Sequence, residues 1–196
     1  MLLQAILLLI SSLALSQGSA VKTDNTPKPY EDVEAYKVYS AILPTAWPWR
    51  EMNAKSLVIM SETEGYKMCL RPETESEKII GQAISEYVKL NEKTWRLQRD
   101  FGIEKPYELI AYDELKPGLK QEGWENFYKQ YPNSGGCLIG LSAVGFNVDK
   151  TVAVVYMGHR RPGIGLGGGG RFHVLQKQDG KWAPLIWKGR GCGWES

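Results

Sequence analysis

From Cys137 to the end of the chain, four runs rich in apolar and branched residues alternate with turn signals: Cys137–Phe146, Thr151–Gly158, Arg171–Lys177 and Lys181–Trp187. Asn147–Lys150, a glycine-rich loop and Gln178-Asp179-Gly180 separate them. Runs this short, joined by turns, satisfy their backbone groups by pairing with their neighbours, so this part is expected to form a four-stranded antiparallel meander. Upstream, Val33, Tyr36, Tyr39 and Leu43 recur at helical spacing until Pro44. Ser56–Ser61 and Glu108–Tyr112 read as strands. Thr74-Glu75-Ser76-Glu77 has the spacing of a capping box before the apolar positions Ile79, Ile80, Ala83, Ile84, Tyr87 and Val88. Trp124–Tyr131 is a short aromatic helix ended by Pro132 and Gly135-Gly136. The expected fold class is α+β, with N-terminal and middle helices packed on one face of an antiparallel sheet that ends in the meander.

The first twenty residues carry no charged side chain, and Leu2–Leu15 is a mostly apolar run followed by small residues at Gly18 and Ala20. This is the pattern of a cleavable signal peptide, 1–20, and the apolar run is shorter than the about 20 residues a spanning helix needs. The expected organisation is the signal peptide, a flexible lead-in over 21–29 containing two prolines, and a single domain over 30–196. Periplasmic or extracellular placement follows, with no membrane span after cleavage. Export would carry Cys69, Cys137 and Cys192 into an oxidising compartment, where three thiols allow at most one internal disulfide.

A net charge of +2 does not suggest nucleic acid as a partner. Basic charge is nevertheless concentrated, because residues 151–196 hold seven Lys or Arg against Asp179 and Glu195. In an up-and-down sheet, the start of the first strand, the end of the second, the start of the third and the end of the fourth share one end. Cys137, His159, Arg171 and Lys188 therefore meet there, with the loop Arg160–Gly170 and the tail residues Arg190 and Cys192. That placement favours a Cys137–Cys192 disulfide over pairs with Cys69.

The glycines Gly163, Gly165 and Gly168 match a dinucleotide fingerprint by spacing, but a strand follows them where the fingerprint requires a helix. Two readings remain for the glycine run. It is a mobile or closely packed surface segment, or its N–H groups form a concave nest for an anion. In the second reading the ligand-binding set is Arg160, Arg161, Gly168, Gly169, Arg171 and Arg190, and the partner is an anionic ligand or an envelope component. Only two histidines are present. If Met157 pairs with His173, then His159 and His173 lie one step apart on one face, as an acid/base pair or two metal ligands; otherwise they are a surface and a packed strand histidine. No zinc-ligand spacing occurs, so neither a metal nor another cofactor is expected. Gly140–Gly145, with Ser142 at its centre, is one residue off the nucleophile-elbow pattern and lies within a predicted strand, and acidic pairs such as Glu62 with Glu64 or Asp113 with Glu114 are not distinguished from ordinary surface carboxylates. Among the tryptophans, Trp47, Trp49 and Trp194 fall in loops or the tail and are better placed for contact than Trp124, Trp182 and Trp187.

Val144-Gly145-Phe146-Asn147, the Ala153–Tyr156 strand, Gly167–Gly170, and Val174–Lys177 followed by Asp179-Gly180-Lys181-Trp182 resemble a group of uncharacterised exported bacterial proteins, with Phe127-Tyr128 and Tyr131-Pro132 extending the likeness upstream. The resemblance implies an envelope or extracellular setting and carries no activity. The expected function is a non-enzymatic binding or interaction module whose contact surface is the basic glycine-rich end of the meander. The alternative is a small hydrolase with His159 or His173 as general base.

Overall fold

The computed structural model describes residues 26–46, 53–74, 77–111, 114, 121–161, 167–188 and 191–195. The expected signal peptide, Trp47, Trp49, Asp113, the loop residues 162–166 and Arg190 lie outside them.

Helix α1 spans Val33–Ile42 and opens at Asp32, whose carboxylate accepts the Glu34 N–H at 3.0 Å; a 3-10 turn, Leu43–Thr45, takes up Pro44. Helix α2 spans Lys78–Leu90. The Glu half of the expected capping box is present, since the Glu77 carboxylate accepts the N–H groups of Glu73 and Thr74 at 2.7 and 3.1 Å. Its second oxygen accepts the Lys188 N–H at 2.8 Å, so one buried side chain ties the start of α2 to the C-terminal tail. Helix α3 is Gln121–Gln130.

The strands, in chain order, are β1 Lys28–Pro29, β2 Leu57–Met60, β3 Trp95–Arg96, β4 Tyr107–Ile110, β5 Leu138–Leu141, β6 Gly145–Phe146, β7 Val152–Arg160, β8 Gly168–Gln178, β9 Lys181–Pro184 and β10 Gly193–Glu195. β1 pairs in parallel with β3, which brings order to the end of the segment expected to be a flexible lead-in. In the main sheet the order is β10-β8-β7-β5-β2-β4, with β6 on β7 and β9 on β8. The meander is therefore present. The sheet is nonetheless mixed, because β2 runs parallel to both β5 and β4.

Strand alternation sends successive side chains to opposite faces. Ala153, Val155 and Met157 of β7 pack with Tyr36, Tyr39 and Ile42 of α1. Val152, Val154 and Tyr156 pack with Ile80, Ala83 and Tyr87 of α2, and further across that second face Val58, Met60 and Leu138 pack with Trp124 and Phe127 of α3. Helices thus cover both faces, not one; β2, β5, β7 and β8 carry buried apolar residues on both sides, and each side needs cover.

The expected single strand Cys137–Phe146 is interrupted over Ser142–Val144. Side chains take over from the ladder there: Tyr39 Oη donates to the Ser142 carbonyl at 2.7 Å, Asn91 accepts the Ala143 N–H at 2.9 Å, and Tyr30 Oη accepts the Val144 N–H at 2.9 Å. The detour seats β6 against α2, where a Cβ on Gly145 would overlap the helix backbone at Ala83 and Tyr87. β9 likewise ends at Pro184, before the expected Trp187, and the tail returns as β10 along the start of β8.

Candidate functional site

Gly140 on β5 lies opposite Gly158 on β7, Gly158 opposite Gly170 on β8, and Gly170 opposite Trp194 on β10. Three glycines distant in sequence therefore form one row across the sheet, on the face covered by α2 and α3. A row without side chains is a trough. The structure fills it from the flanks with larger groups, whose positions account for each glycine: a Cβ on Gly140 would stand 2.7 Å from Glu64 Oε2, one on Gly158 would touch the Tyr156 ring at 3.1 Å, and one on Gly170 would overlap the Tyr156 hydroxyl.

The cluster on this floor is aromatic and charged. Tyr66 stacks on Tyr156 with ring centroids 4.9 Å apart and planes at 11°, and its centroid is 6.5 Å from that of Trp194. The Trp194 indole N–H donates to the Tyr156 hydroxyl at 2.6 Å. Beside them the Arg160 guanidinium forms an ion pair with the Glu64 carboxylate and also contacts Met60 Sδ at 3.3 Å. Tyr156 is buried, and burial is the chief cause raising its hydroxyl pKa; the Trp194 hydrogen bond and the Arg160 charge oppose the rise, while Glu64 and Tyr66 add to it. The outer members are open to solvent. Tyr66 is 41% exposed, and the side chains of Arg160 and Glu64 are 30% and 37% exposed.

Two connections hold this cluster in place. The Tyr87 hydroxyl of α2 both accepts the Tyr66 N–H at 2.9 Å and donates to the Tyr66 carbonyl at 3.1 Å. A disulfide joins Cys69, three residues after Tyr66, to Cys192, two residues before Trp194. This corrects the expected Cys137–Cys192 pairing: Cys137 shares the end of the meander but is a free, buried residue on the α1 face, whereas Cys192 is partly buried with the residues on the α2 face. Burial pushes the Cys137 thiol up to about 12, against the pull of Arg161, which leaves it a poor nucleophile.

Strand alternation also divides the arginines that sequence reasoning placed together. Arg160 turns to the glycine floor, while Arg171 lies opposite Met157 on the α1 face and is exposed. Arg161 bears on Cys137, on that same α1 side, and Arg190 lies outside the described residues. Gly168 and Gly169 are not the nest expected of them. Both are buried strand residues without positive φ, paired with Arg160 and His159 of β7, and the space above them is taken by Trp194 and His159.

The histidine pair does not form. Met157 pairs with Arg171 rather than with His173, which pairs with Val155. His159 and His173 thus share the α1 face but stand four strand positions apart, roughly 13 Å. His173 Nε2 is buried without a hydrogen-bond partner, and burial, then the Arg171 charge, lowers its pKa to about 4. An imidazole so weakly basic makes a poor general base at neutral pH. No group of three or more His, Cys, Asp or Glu suited to a metal ion occurs among the described residues.

Sequence reasoning placed Arg160 at this end of the fold and named Trp194 separately as a tail residue suited to contact, but passed over Tyr66 and Tyr156 and left Glu64 as an ordinary carboxylate. A signal was available in Gly140, which interrupts the apolar run Leu138-Ile139-Gly140-Leu141 where a strand has no need of glycine; Gly158, before His159, and Gly170, the last of four glycines, carry no such mark. No family model, curated protein or solved structure matches the chain.

Proposed function

We propose that this chain is an exported binding module whose contact surface is the glycine-rich end of the meander, and that ligand is met on the face carrying Tyr66, Glu64, Arg160 and Trp194. One observation carries the reading: a cross-strand row of glycines is spent on seating a polar and aromatic cluster that stays partly open to solvent. A core would be better served by filling that row with Val or Ile, since a partly exposed ion pair contributes little to stability compared with well-packed apolar groups. The cluster is held rigid by a disulfide and by Tyr87, so little order has to be gained on binding. Export is supported by the apolar leader of the sequence and by the Cys69–Cys192 disulfide, a bond that persists in oxidising compartments.

The test compares the two faces. The protein is passed over immobilised anionic polysaccharide, neutral polysaccharide and phosphate at low and moderate salt. Retention on at least one support is expected, lost in a Tyr66→Ala, Arg160→Ala variant and kept in an Arg161→Ala, Arg171→Ala variant. The reverse pattern would move the contact surface to the α1 face, and retention that survives both variants would remove the proposal.

A further inference from the structure

Resting on that reading, we infer that the ligand is a neutral sugar ring, stacked on Tyr66 and held through adjacent hydroxyls by the Glu64–Arg160 pair. The inner face of Tyr66 is fixed against Tyr156 at 4.9 Å, so the ring has one orientation and offers its outer face to solvent. A fixed aromatic plane is a platform for the apolar face of a pyranose at small entropic cost. Glu64, whose carboxylate lies over Gly140, and Arg160, two residues along β7 from Gly158, supply complementary hydrogen-bonding groups at its edge. A carboxylate only accepts and a guanidinium only donates, whereas each sugar hydroxyl does both; two neighbouring hydroxyls can therefore give to Glu64 and take from Arg160 at once.

The same pair argues against an anion. Arg160 already meets a carboxylate, and an incoming phosphate or uronate would have to approach Glu64 to reach it. The exposed basic residue Arg171, which would attract an anion, is on the other side of the sheet. Trp194 is a wall of the site rather than a donor to ligand, because its indole N–H is committed to Tyr156.

Neutral hexasaccharides of glucose, xylose and mannose are titrated into the oxidised protein, with tryptophan fluorescence and heat as readouts, beside an oligogalacturonate, inorganic phosphate and a proline-rich peptide. At least one neutral hexasaccharide is expected to bind. Tyr66→Ala should weaken it by roughly tenfold, the scale of one aromatic contact, while Tyr66→Phe binds as the parent does. Glu64→Gln should also weaken it, and Arg171→Ala should not. Circular dichroism of each variant separates lost binding from lost fold, and the Tyr66→Phe comparison holds even where Tyr66→Ala is unstable. Saccharide binding unaffected by Tyr66→Ala overturns the inference. So does binding of the oligogalacturonate, phosphate or peptide alone; if that binding depends on Tyr66 or Arg160, the contact surface stands and only the sugar is wrong. Silence from every probe overturns the inference, and the two-face retention experiment then decides the binding-module reading separately.

Discussion

Two aromatic clusters lie on opposite faces of the sheet, and they differ in where their polar atoms go. On the α1 face, Tyr30, Tyr36, Tyr39 and Phe101 pack with centroids 5.5–6.3 Å apart, and all four are buried. Their hydroxyls serve the main chain: Tyr36 donates to the Tyr30 carbonyl at 2.8 Å and Tyr39 to the Ser142 carbonyl at 2.7 Å. On the other face, the Tyr156 hydroxyl meets the Trp194 indole and the stack ends in a half-open Tyr66 beside an ion pair. Aromatic richness alone therefore does not mark a site. A phenol that satisfies a buried backbone group is part of the fold, whereas one joined only to other side chains at the edge of a floor is free to serve a ligand.

The contrast can be broken by truncation. Tyr39→Ala should cost about 3–5 kcal/mol in chemical denaturation, the scale for removing a buried ring, whereas Tyr66→Ala should cost about 1 kcal/mol or less. Equal losses would abolish the distinction between a structural and a functional cluster. Replacing Cys69 and Cys192 by Ser should cost about 2–4 kcal/mol, since the bond closes a loop with a sequence separation of 123 residues. That variant should also lose binding at temperatures where it is still folded, because both the Tyr66 segment and the Trp194 strand are released.

Glycines sharpen the comparison at a smaller scale. Gly170→Ala places a methyl on the Tyr156 hydroxyl and should destabilise by about 1–3 kcal/mol. Gly81→Ala on α2 meets nothing within 4 Å and should stabilise by about 0.5–1 kcal/mol. If both substitutions were neutral in thermal melts, the glycine row would not be a floor.

The smallest effect is in pH. The folded-state pKa of His173 is lowered to about 4 from an ordinary 6.5, so the unfolded chain takes the proton first. The contribution to stability is complete above pH 6.5, declines as pH falls towards 4, and is level below that. Glu34, held down to about 2 chiefly by Lys177 and also by the Trp182 indole and Lys37, loses its contribution in a separate window, between about 4.5 and 2. A His173→Gln variant should flatten the upper window in a pH series of denaturant midpoints and leave the lower one; an unchanged slope above pH 4.5 would remove His173 as its source.

Much of the fold was legible. The spacing of Tyr36, Tyr39 and Leu43, the half-box at Glu77, and the turn at Asp179-Gly180, where Asp179 has φ 48° and Gly180 φ 78°, each record a local requirement that its residues announce, although Val33, read with them, is exposed. What was not legible depended on partners far along the chain. The parallel pairing of β2 with β4 reaches across α2, and that with β5 across α2 and α3. The break at Ser142–Val144 exists because Tyr30, Tyr39 and Asn91 stand ready to replace the ladder there.

The site divides in the same way. Chain direction along the meander placed Arg160, the glycines and Cys192 at one end, and that inference needed only alternating strands and turns. Register then decided the rest: β7 and β8 pair two residues away from the register that would bring His159 beside His173, and strand alternation sends Arg160 and Arg171 to opposite faces. Sequence by itself determined the helices, the longer strands, their order along the chain and the end of the sheet where unusual residues gather, because those follow from local periodicity and turn chemistry. Only the tertiary structure decided which of those residues touch, since a face and a partner are set by pairing across the sheet, and the energy that selects one register is spread over contacts from the whole chain.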